Sequence, residues 1–180
     1  MAIHVASSRP LAAARTASPA GFTQERVEGF VQDLRDEQRF GTGAVAGLAA
    51  ALIGAFIWGA ITAVTHYQIG WMAVGVGFLV GYAVRLFGKG VEPRFGYLGA
   101  GLALFGCLAG NILAVCLFFS YNFEVPLFDI LGQLTPSACY ELLKTTFSPV
   151  DLLFYALAVY EGYRISFRCL TPDEVSKLTV

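Results

Sequence analysis

Charge is what this sequence has least of. Charged residues make up 14% of its 180 positions, against about 25% in an ordinary soluble domain. The shortage is uneven: charges gather in Glu25–Arg39, in Arg85–Arg94 and near the C-terminal end, with long uncharged runs between. That excludes a soluble domain with an apolar core and indicates a polytopic membrane protein. A basic surplus is missing too. Twelve Lys and Arg stand against thirteen Asp and Glu, so no nucleic-acid surface is expected. The two histidines, His4 and His66, lie far apart. The four cysteines, Cys107, Cys116, Cys139 and Cys169, form no C-x-x-C, which excludes a zinc knuckle and a redox pair. Gly88-Lys89-Gly90 is no phosphate loop, because Gly90 stands where a hydroxyl is required. With no nucleophile–base pair, carboxylate pair or metal triad in view, no catalytic, cofactor-binding or metal residue is assigned. The expected protein is not an enzyme.

What is present is apolar: 56% of the residues are hydrophobic and the mean hydropathy is +0.62. The stretch Ile69–Arg85 carries four glycines and no acid, opens near Trp71 and closes on Arg85. It reads as a membrane helix built for close packing. Around it the pattern predicts four spans, about 44–65, 69–87, 95–120 and 148–163, in a membrane domain 44–168. Roughly 20 residues suffice to cross a hydrocarbon layer of ~30 Å. The fold class is therefore all-α, a four-helix membrane bundle.

Before the first span, residues 1–21 are rich in Ala and Ser, with Arg9 and Arg15 and no acid. They resemble a transit peptide in composition, but a disordered cytoplasmic tail is the preferred reading. In 22–40, Val27, Phe30, Val31 and Leu34 follow helical spacing among charged positions. Five acids against three bases argue for a helix that docks on protein rather than on lipid. Gly41-Thr42-Gly43 is expected to loosen the chain before the membrane. Residues 169–180 form a second cytoplasmic tail.

Orientation follows from the bases. Eleven of the twelve lie before the first span, at or between the facing ends of spans two and three, or after span four; Lys144 is the exception. Positive residues are retained in the cytoplasm. Both termini are thus expected inside a bacterial inner membrane, with Trp71 at the outer face and Arg85 at the inner. The segment 121–146 then lies outside. Pro126 and Pro136 suit the first turns of two short helices, with Thr135 capping the second. They are expected to lie at the outer interface or to fold over the bundle; a re-entrant hairpin is the weaker alternative, because Glu124, Asp129, Glu141 and Lys144 would then need protein cover. Gly47 and Gly101 open similar stretches, a match that chance explains as well as duplication.

Three small-xxx-small pairs, Gly43/Gly47, Gly77/Gly81 and Gly106/Gly110, are expected to seat helix against helix, within one chain before between chains. Arg85, Lys89 and Arg94 read as positive-inside anchors, with lipid head-group binding as the functional alternative. Asp151 suits a capping box with Ser148. Two polar residues fall inside spans. Asn111 should bond a neighbouring helix, and Glu161 should pair with Arg164 or Arg85.

The stretches IGWMAVGVGFLVGYAVRLFGKG, GYLGAGLALFGCLAGNIL and FSPVDLLFYALAVYEGYR together resemble a family of uncharacterised bacterial integral membrane proteins, over about Ala44 to Arg168. The resemblance implies a four-helix membrane domain of unknown function and carries no activity. The expected role is a small non-enzymatic scaffold or accessory subunit. Its partners are the lipid bilayer and either a second copy or another membrane protein. The alternative is an oligomeric small channel or transporter.

Overall fold

The computed structural model describes residues 24–67 and 70–169. The tail 1–21 and nearly all of 169–180 lie outside the described residues, as do Gln68 and Ile69. The chain forms two compact units, and the described part of the smaller one is essentially helix α1, Gln24–Asp36. Within α1, Leu34 is buried and the charged positions from Glu28 onward are exposed. Gln32 donates to Asp36 one turn later, at 3.3 Å.

The larger unit, Glu37–Arg168, is all-helical among the described residues. Its long elements are α2 (Phe40–Thr65), α3 (Trp71–Gly88), α4 (Pro93–Phe123) and α7 (Pro149–Ile165), with short α5 (Leu127–Gly132) and α6 (Pro136–Thr146) between the last two. The first three are long and apolar enough to cross a membrane. Helix α7 has 17 residues, about 26 Å of helix; it counts as a span when joined to α6, from which it is bent by 109°. Outward-facing side chains such as Leu52, Phe56, Phe78, Phe105 and Leu153 are large and apolar, as an all-α membrane bundle requires.

Local chemistry explains the boundaries. Pro93, Pro136 and Pro149 open their helices, where a missing N–H costs nothing. Thr135 Oγ1 accepts from the Ala138 N–H at 3.2 Å, and the Ser148 N–H donates to Asp151 Oδ2 at 2.8 Å. Pro126 takes the N-cap of α5, one position earlier than expected. The larger correction concerns Gly41–Gly43. The helix does not loosen there but begins at Phe40, and the break falls at Gln38 and Arg39. Thr42 Oγ1 donates to the carbonyls of Arg39 and Phe87, both at 3.0 Å, and the Arg39 N–H reaches Gly88 O at 2.9 Å. Those bonds tie the start of α2 to the end of α3.

Each of the four main seams is set by small residues. Between α2 and α3, a methyl built on Gly43 would stand 2.9 Å from Gly88 Cα, and one on Gly47 would meet Val84 at 2.6 Å. Between α2 and α4, Gly106 faces Ala51, with Val76 of α3 beside it, and a methyl built on Gly110 would stand 2.7 Å from the Trp58 ring. Between α3 and α7, Gly77 lies on the Ala158 backbone and Gly81 on the Glu161 and Gly162 carbonyls. Between α4 and α7, Gly99 and Gly162 face each other. Contacts this short let dispersion act between backbones where lipid offers no hydrophobic drive. Helix α4 touches α2, α3 and α7, and α3 touches α2, α4 and α7. The four long helices therefore form one interleaved bundle, in which neighbours in sequence are not the only neighbours in space.

Candidate functional site

The core contains one polar thread. Asn111 follows Cys107 by one turn on the inward face of α4, and both are buried. Asn111 Nδ2 donates to the Tyr155 hydroxyl at 3.3 Å, and that hydroxyl donates to Cys107 O at 3.3 Å. The Cys107 thiol points to Ala73 O at 3.7 Å. Helices α3, α4 and α7 are thereby linked at one level. All three contacts are long, so each is weak, but in a membrane interior the alternative is a desolvated polar group.

Beside this thread lies a recess of about 190 Å³, lined by Thr62 and His66 at the end of α2 and by Asn111, Ala114, Val115 and Phe118 of α4. His66 closes α2 in the left-handed conformation at φ 59°, with its N–H on Thr62 O. That turn swings its imidazole edge-on to Phe118, ring centres 5.4 Å apart. Its Nδ1 is 3.2 Å from Ala63 O. Thr62 Oγ1 and, one turn earlier, Trp58 Nε1 are buried and find no hydrogen-bond partner among the described residues. The recess is polar and roomy enough for a few waters at about 30 Å³ each, or for one small neutral hydrogen-bonding molecule. His66 is the titratable group in its lining, so the geometry supports binding and offers no acid–base pair.

Glu161 is not part of this site. It lies six residues beyond Tyr155 on α7, about 9 Å along the axis. Among the described residues it forms no ion pair, with Arg164, with Arg85 or otherwise. Its backbone carbonyl packs on Gly81 instead, because the small-residue face of α7, not a charge pair, sets the helix rotation.

The cations gather at the opposite end of the bundle. Glu37 collects two of them, with Arg168 Nη1 at 2.7 Å and Lys89 Nζ at 3.9 Å. The Arg168 N–H also donates to Gly90 O at 2.8 Å. Arg94 pairs with Glu92 at 2.8 Å and lies over the Phe40 and Phe95 rings. Arg85 is half-buried on α3. Sequence reasoning missed Glu37, Thr62 and Tyr155 as structural participants. A signal existed for Tyr155: Asp151, Tyr155, Ala158 and Gly162 recur at helical spacing on one face of α7. Among the described residues no three of His, Cys, Asp and Glu converge to hold a metal ion. Comparison of the chain with protein-family models, curated proteins and solved structures finds no match.

Proposed function

We propose that this protein is a non-enzymatic scaffold or accessory subunit of a bacterial inner membrane, with both termini in the cytoplasm. The observation carrying this reading is the filled bundle interior. Trp58, Phe95, Val80 and Val84 are at most 1% exposed, and glycine seams bring the helix backbones into contact. Charge outside the bundle is concentrated in α1, whose exposed face is the natural partner surface. The crowding of Arg39, Arg85, Lys89, Arg94 and Arg168 toward one end supports the orientation.

The recess at Thr62, His66 and Asn111 favours a second reading, a small channel or transporter. Beyond Asn111, however, Ala103, Cys107 and Ala158 are fully buried, and a path would have to open through them. Two measurements separate the readings. A photo-crosslinker at Gln32 or Asp33, run in native membranes, should give a defined adduct, and the partner it captures should cease to co-purify when residues 1–36 are deleted while membrane insertion persists. Purified protein in sealed vesicles should pass no ions. Co-purification that survives the deletion, or measurable flux, would sink the scaffold reading.

A further inference from the structure

The surface of α2 and α3 carries an apolar groove of about 610 Å³, lined chiefly by Val45, Ala46, Ala49 and Ile53 of α2 and by Leu79 and Phe87 of α3. It exists because alanines on α2 stand between larger neighbours. The groove extends along α2 from Gly41 to Ile53, about 18 Å of helix. That is close to half of α2, whose 26 residues span about 39 Å. Its next neighbours on the same helix face, Phe56 and Ile57, are bulky and exposed. The trough therefore ends at mid-membrane depth.

The other end opens beside cations. Thr42 and Phe87 form that end and are joined through the Thr42 hydroxyl. Arg39 is bonded to Gly88 through its backbone, and Lys89 follows directly. Arg39 is exposed and enters no ion pair among the described residues. Lys89 meets Glu37 at 3.9 Å with both side chains 54% exposed, a weak pair. The groove lining holds no acid.

We propose that this groove is a binding site for an anionic phospholipid, one acyl chain lying along Val45–Ile53 and the phosphate resting at Arg39 and Lys89. Length and charge select this occupant. A helix from a second copy would cross the whole membrane and need a trough along all of α2, whereas this one stops halfway. A zwitterionic lipid such as phosphatidylcholine would bring a further cation, its choline, to the same mouth.

The test is lipid retention by the full chain, purified in detergent and read by native mass spectrometry. The probes are phosphatidylglycerol and phosphatidylcholine with identical chains. One phosphatidylglycerol should remain bound in preference to phosphatidylcholine. R39Q should weaken its retention about fivefold, the worth of one cation near an anionic surface. A49L, on an outward-facing position that the fold tolerates, should remove retention of both lipids; A46L repeats the test if A49L fails to accumulate. Inorganic phosphate should not displace the lipid. Equal retention of the two lipids would overturn the proposal, as would retention indifferent to both groove variants. Displacement by phosphate, or a dimer that the groove variants dissociate, would overturn it as well.

Discussion

The four-helix bundle and the short helices α5 and α6 are held in opposite ways. Phe128 of α5 is 83% exposed, and neither α5 nor α6 has a buried residue. In the bundle Ala51, Ala55, Ala73 and Ala158 are fully buried. Small residues line the seams, and a few large side chains such as Trp58 and Phe95 fill the space between them. That is the expected logic where the solvent is itself apolar: lipid competes with Leu and Phe for apolar contact but cannot follow a backbone into a glycine seam.

The contrast can be broken most directly at the seam. Gly77→Leu drives a side chain into the Ala158 backbone and should cost about 3 kcal/mol or more. Thermal unfolding in detergent reads this, and an unchanged midpoint would show that α3 and α7 do not meet there. The polar thread comes next. Tyr155→Phe removes the hydroxyl shared by Asn111 and Cys107 and should cost about 1 kcal/mol. A double-mutant cycle with Asn111→Ala should return a coupling of roughly 0.6–1.7 kcal/mol; additive effects would mean the two side chains act independently. Thr135→Ala removes the α6 cap, a loss of about 1 kcal/mol to that helix. It should speed hydrogen exchange in α6 while leaving α2–α4 amides unchanged, since nothing in α6 is buried. Spread of the effect into the bundle would show that α6 is integral to it. Smallest are Gly75→Ala and Gly101→Ala, glycines whose added methyl meets nothing within 4 Å. Both should be neutral or stabilise by up to about 1 kcal/mol through helix propensity. A large loss at either would contradict the division between seam and surface glycines.

Much of the fold is legible in the amino-acid sequence. Uncharged runs locate the long helices, and the capping chemistry of Thr135, Pro136, Ser148 and Asp151 places two helix starts. The small-xxx-small pairs name glycines that do lie between helices. Legibility fails where a local signal meets a tertiary one. Gly41–Gly43 reads as a flexible hinge by propensity, yet the bonds of Thr42 and Arg39 to the end of α3 hold it helical. Glu161 and Arg164 are spaced to pair, yet among the described residues no ion pair joins them; spacing permits such a pair but a surface pair gains too little to oblige it. Tyr155 is invisible as a partner of Asn111 because 44 residues separate them.

The sequence by itself determined that this is an all-α membrane protein, where its long helices run and which faces are small. Those properties follow from hydropathy and helical period, which are local. Only the tertiary structure decided which small face meets which. It joined α4 to α2 as well as to α7, tied Asn111 to Tyr155 and cut a half-length groove between α2 and α3. Glycine faces are chemically alike, so their pairing is set by the shapes of neighbouring side chains and by a few long-range hydrogen bonds, neither of which is written in any one stretch of the chain.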